Sequence, residues 1–85
     1  MRVDGQIALV TGAGRGIGKA CAVALAEAGA DLVLMSRTDS ELDEVAMRIE
    51  AIGRSAQKIV CDVSDASAVS HAIGQIDCLD ILINN

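Results

Sequence analysis

Thr11-Gly12-Ala13-Gly14-Arg15-Gly16-Ile17-Gly18 is the stretch that decides the fold. Just before it, Ile7 to Val10 is a short, wholly apolar run. Just after it, Ile17, Ala20, Cys21, Ala24, Leu25 and Ala28 recur at helical spacing, and Gly29 closes the helix as its C-cap residue. A continuous apolar run that ends in a turn fits a strand buried on both faces, as in a parallel sheet. The glycines between strand and helix have separate physical tasks. One permits a sharp turn with positive φ. A second removes a Cβ so that a pyrophosphate can approach the backbone, and a third lets the helix lie close on the strand. The start of the helix then presents N–H groups and the positive end of its dipole to phosphate.

Outward from this loop the pattern repeats. Leu32 to Met35 predicts a second buried strand. Asp39 or Ser40 can cap the next helix, whose apolar face is Leu42, Val45, Ala46, Ile49 and Ile52, with Gly53 ending it. Ile59-Val60-Cys61 predicts a third strand. Ser64 is the candidate N-cap for a helix carrying Val69, Ala72, Ile73 and Ile76, and Leu79 to Ile83 predicts a fourth strand. The order is β-α-β-α-β-α-β without linker or repeat, the pattern of a doubly wound α/β sheet with right-handed crossovers. A chain that stops at Asn84-Asn85, straight after an apolar strand, leaves a sheet edge and face bare. The expectation is therefore the N-terminal portion of a longer protein.

Composition narrows the function classes. The chain has 85 residues, 52% hydrophobic and 22% charged, with no Phe, Tyr, Trp or Pro. Such a sequence is too rich in Ile, Leu and Val for a disordered tail, and its core must be aliphatic. A net charge of −5 provides no basic field for nucleic acid. The apolar runs fall far short of the roughly 20 residues that cross a bilayer. Asp4 stands where the apolar core of a signal peptide would begin. Cys21, Cys61 and Cys78 are odd in number and form no CxxC or CxxH motif, which reads as reduced thiols in a cytoplasmic protein without a metal site. Cys21 and Cys61 are expected in the interior and Cys78 on a more exposed turn. His71, in mid-helix, reads as a solvated surface residue.

Two phosphate-binding patterns fail at the glycine loop. In the P-loop frame, Gly18-Lys19 is present, but residue 13 is Ala where the first glycine belongs and residue 20 is Ala where a metal-binding hydroxyl belongs. In the ordinary GxGxxG frame, the residue three after Gly14 is Ile17. TGxxxGxG does fit. Together with Asp62-Val63 after the third strand and Asp80-Ile81-Leu82-Ile83-Asn84-Asn85 at the end, it makes the whole chain resemble the classical short-chain dehydrogenase/reductase family. Both acyl-carrier-protein ketoreductases and sugar or polyol dehydrogenases of that family are in keeping with it. One departure is the short stretch between Asp62 and Asp80, where many members have a longer helix ending in an aromatic residue and glycine.

The resemblance implies a Rossmann-like parallel sheet, its first four strands in the order 3-2-1-4. Residues 1–85 would be the N-terminal part of a single NAD(P)-binding domain. It implies a cofactor site at Gly12, Gly14, Arg15, Gly16, Ile17, Gly18, Arg37, Asp62, Val63 and Asn85. Asp62 would accept a bond from the adenine amino group, with the Val63 backbone close by. Asn85 would border the adenosine ribose, and Asn84 would tie strands together. Ser36 stands where NAD-preferring relatives have Asp, and Arg37 follows it. Arg15 sits in the loop, where basic residues favour NADP. A carboxylate repels the 2′-phosphate and a guanidinium clamps it. At about 1.5–3 kcal/mol each, two such contacts would favour NADP over NAD by about a hundredfold or more. Asp39 is a competing partner for Arg37.

The implied reaction is reversible hydride transfer between the nicotinamide and a small carbonyl or alcohol substrate. The family's catalytic Ser, Tyr and Lys lie beyond residue 85, so no catalytic residue is assigned here, and the chain alone is expected to be inactive. The full-length protein would be a homo-oligomer, tetramer or dimer. Two other readings stand beside this one. A non-catalytic dinucleotide sensor could use the same fold. An S-adenosylmethionine-dependent methyltransferase would carry GxGxG without an Arg after the second strand.

Overall fold

The computed structural model describes residues 2–62, 64–74, 76 and 79–84. Its elements are β1 (Ile7–Thr11), α1 (Gly16–Glu27), β2 (Asp31–Ser36), α2 (Asp39–Ile52), β3 (Ala56–Val60), α3 (Ala66–Gly74) and β4 (Ile81–Ile83). All pairings are parallel, and the strand order is β3-β2-β1-β4. The predicted order 3-2-1-4 is thus observed, and the chain forms an α/β sheet covered on both faces.

The alternation of side chains along the central strands sorts the core into two halves. Ala8, Val10, Leu32 and Leu34 point to one face, where they pack with Ala22, Leu25, Leu42, Val45 and Ile49 of α1 and α2. Leu9, Val33 and Met35 point to the other, where Ala72 of α3 meets them. β1 and β2 are covered on both sides, which is why they read as unbroken apolar runs. α2 buries Leu42, Val45, Ala46 and Ile49 as predicted, whereas Ile52 at its end is 41% exposed.

α1 buries only part of the face expected. Leu25 and, just past the helix, Ala28 are buried as expected, together with Gly18, Ala22 and Ala26, while Ile17, Ala20 and Ala24 face solvent. The helix is apolar nearly all round, so periodicity alone does not choose a side. Gly18, Ala22 and Ala26, all small, lie on the buried side and allow close approach to the sheet. The end of α1 is a Schellman motif, with Gly29 just past the cap residue Ala28. The Ala30 N–H bonds the Leu25 carbonyl and the Gly29 N–H bonds that of Ala26.

Helix starts and edge strands also shift. Thr38, not Asp39 or Ser40, takes the cap position of α2, with no side-chain bond to the helix. The cap of α3 is Asp65, whose Oδ1 accepts the Ala68 N–H at 3.1 Å. Ser64 instead donates its N–H and hydroxyl to Asp62 Oδ1 at 2.9 and 2.7 Å. β3 begins at Ala56 rather than Ile59, because its place is set by backbone pairing of Ala56 through Val60 with Leu32 through Ser36 and not by apolarity. Cys61 lies just past it, its N–H still bonded to the Ser36 carbonyl. β4 begins at Ile81 rather than Leu79. Asp80 joins the two strands first: its N–H donates to the Ile7 carbonyl, and its Oδ2 accepts the Ile7 N–H, both at 2.9 Å. Among the described residues, no helix is long and apolar enough to cross a membrane. Cys21 and Cys61 are free thiols and only half-buried, while Cys78 lies outside the described residues.

Candidate functional site

The carboxyl ends of β1, β2 and β3 lie side by side, so the segments that follow them meet at one end of the sheet. This is the end where open α/β sheets bind ligands. A cleft of about 300 Å³ lies there. Gly12, Gly14 and Arg15 after β1 form one wall, and Ser36, Arg37 and Glu41 after β2 form the other, with Cys61 after β3 at the side.

Backbone chemistry accounts for the first wall. Gly12 and Gly16 both have φ of +62°, the left-handed region that costs a side-chain-bearing residue about 1–2 kcal/mol. α1 then starts at Gly16 with Arg15 in the cap position, no side-chain cap bond, and no acidic residue in the first turn. α3 is closed by Asp65, and α2 carries Asp39 and Glu41 in its first turn. The positive end of α1 has no such compensation from its own side chains, so an anion placed there would meet donors and a favourable dipole.

Gly14 has a further reason to lack a side chain. A Cβ there would come within 2.9 Å of both Glu41 Cβ and Oε1, and within 3.3 Å of Ser36 Oγ. The close approach at Gly14 is therefore first of all to α2. Glu41 Oε2 lies 3.8 Å from Arg15 Nε, an ion pair whose arginine is 85% exposed and whose glutamate is 33% exposed. The Ser36 hydroxyl accepts the Thr38 N–H at 3.1 Å, which shapes the turn into α2.

Arg37 stands in the cleft wall, and Asp39 is engaged elsewhere: its carboxylate pairs with Lys58 at 3.3 Å, and Lys58 also pairs with Asp43. Asp62 follows β3 on the surface. The two Ser64 donors hold its carboxyl below the usual aspartate value, and the Arg37 charge adds to the effect in the same direction.

Of the residues singled out from the sequence, Gly12, Gly14, Arg15 and Arg37 line this cleft together. Gly16 turns the chain into α1, and Gly18 is buried on the sheet side of that helix. Ile17 is 73% exposed beside the helix start and outside the cleft lining. Val63 and Asn85 lie outside the described residues. Asn84 does tie the sheet: the Thr11 hydroxyl donates to its Oδ1 at 3.2 Å. Glu41 and Cys61 were not singled out for the site. The signal for Glu41 was present, since Thr38-Asp39-Ser40-Glu41 has the spacing of a capping box. That motif predicts a carboxylate bonded to the Thr38 N–H, yet here the N–H goes to Ser36 and Glu41 turns toward Gly14 and Arg15.

A family model described as short chain dehydrogenase matches residues 6–85. An uncharacterised oxidoreductase of Mycobacterium tuberculosis is 46% identical over 88 residues, covering 99% of this chain and 34% of the relative. Two solved structures superpose closely. The Pseudomonas aeruginosa RhlG/NADP active-site complex gives a TM-score of 0.86 at 38% identity, with 99% of this chain and 35% of that one covered. Carveol dehydrogenase from Mycobacterium avium, in complex with NAD, gives 0.81 at 32% identity, with 95% and 35% covered. The chain spans about a third of the length of the curated relatives it matches. The glycine turn, the sheet order and these matches over nearly every residue agree, and the chain belongs to the short chain dehydrogenase family.

Proposed function

We propose that this chain is the adenosine-binding part of an NADP-preferring oxidoreductase. The observation that carries the proposal is that Arg15 and Arg37 both line one cleft, with a serine rather than an aspartate at the end of β2. The amide groups at the start of α1 would hold the pyrophosphate, with Gly12, Gly14 and Gly16 shaping the turn and Gly18 seating the helix. Ile17 would contribute its backbone and cover one side. Arg37, with Arg15, would hold the ribose 2′-phosphate. Asp62, kept ionised by Ser64, would accept a bond from the adenine amino group, with Val63 and Asn85 completing the adenosine pocket.

When bound, the nicotinamide exchanges a hydride with a carbonyl or alcohol carbon of a small substrate. This chain's residues bind and orient the other end of the cofactor. With no tyrosine in the sequence, the chain cannot supply the family's phenolic proton donor.

Titration of the chain with NADPH and NADH tests the reading. NADPH is expected to bind more tightly, without turnover of carbonyl substrates. Arg37→Ala is expected to lower the NADPH:NADH affinity ratio about tenfold, the size of one charge-assisted hydrogen bond. An unchanged ratio would remove the arginine clamp, and absence of binding by either nucleotide would remove the site.

A further inference from the structure

We infer that Glu41 is a specificity-determining residue of this site, setting how strongly it takes a 2′-phosphate; the inference rests on the adenosine-binding reading above. Three observations carry it. Among the described residues that line the cleft, Glu41 holds the only carboxylate. Its position is built in: α2 brings it against Gly14, where a side chain as small as a methyl group would collide with it. Its carboxylate lies 3.8 Å from the Arg15 guanidinium.

The physical consequence has two parts. A carboxylate beside the ribose repels the doubly charged 2′-phosphate. It also draws the Arg15 guanidinium toward the α2 wall, so Arg15 must leave or share this partner to reach the phosphate. Both effects weaken a ligand with a 2′-phosphate and leave one with a free 2′-hydroxyl nearly untouched. Arg15 and Arg37 favour NADP, and Glu41 limits that preference. The site is thereby tuned between the two nicotinamide cofactors. At this level of solvent exposure, one charge is worth up to about fivefold in affinity, and less as salt rises.

Adenosine 2′,5′-bisphosphate and adenosine 5′-monophosphate are suitable probes because they differ in the 2′-phosphate alone. Calorimetric titration of the chain and of Glu41→Gln, at low and high ionic strength, provides the test. Glu41→Gln is expected to bind the bisphosphate roughly three- to fivefold more tightly, with the monophosphate changed less than about twofold and the gain shrinking in high salt. Glu41→Asp, which keeps the charge, is expected to stay near the parent ratio. An unchanged or lower ratio in Glu41→Gln would overturn the inference. So would equal changes for both ligands, which would mark Glu41 as a purely structural support of the loop. If the parent chain binds neither probe, the adenosine-binding reading fails and takes this inference with it. If both probes bind and only the ratio fails to move, the adenosine-binding reading stands and Glu41 loses its role.

Discussion

Gly14 shows what one missing Cβ allows. It lets α2 come in close enough for Glu41 and Ser36 to reach the cleft. The loop and the following helix therefore share one tight contact. Gly14→Ala is expected to destabilise the chain by about 1–3 kcal/mol through overpacking, because the nearest atom is the Cβ of Glu41 and not only its movable tip. Denaturant unfolding monitored by circular dichroism measures this. Arg37 and Asp62 belong to the same scale. Each is at the surface: Asp62 is oriented by Ser64, and the carboxylate nearest Arg37 in sequence, Asp39, pairs with Lys58. The types of these residues were legible from the sequence. Their pairing was not, because an ion pair between exposed side chains is chosen by distance across elements rather than by spacing along the chain.

At the scale of elements, helix caps make the sharpest distinction. Ser64 and Asp65 are adjacent, and either is a good cap by type. Only Asp65 bonds the first turn of α3, while Ser64 faces back to Asp62. Asp65→Ala is expected to cost about 1 kcal/mol and to lower hydrogen-exchange protection in α3. Ser64→Ala is expected to leave that protection unchanged. The four strands and three helices were predictable because β1, β2 and the apolar stripe of α2 have strong patterns. The bounds of β3 and β4 were not, because a strand paired on one side carries a weak apolar signal and takes its register from its neighbour. The face of α1 was equally hidden, since a helix of Ala, Val, Leu and Gly has almost no polar side to read.

For the whole molecule, charge pairs at the surface set a stability plateau. Lys19 holds the Glu44 carboxyl below the usual glutamate value, and Ser64 does the same for Asp62. A carboxyl with a depressed folded value stabilises the fold above its unfolded value, and that stability is lost as pH falls through the folded value. Bonding to Asp43 raises Lys58, whose contribution is full below the ordinary lysine value and is lost as pH climbs through the raised one. The urea midpoint is therefore expected to be flat between about pH 5 and 10 and to fall on both sides. Glu44→Gln should flatten part of the acid limb. A midpoint that rose on acidification below pH 4 would contradict the assigned directions.

Local chemistry was enough to determine the class of fold, the glycine turn and four of the residues that line the cleft. Apolar runs, helical spacing and glycine positions act over a few residues and leave their mark in order along the chain. Tertiary packing alone decided which face of α1 is buried, which of two neighbouring residues caps α3, and that Glu41 leaves its capping-box role to stand beside Arg15. These outcomes compare contacts between segments far apart in sequence, where the closest approach of small residues and the nearest opposite charge prevail over local preference.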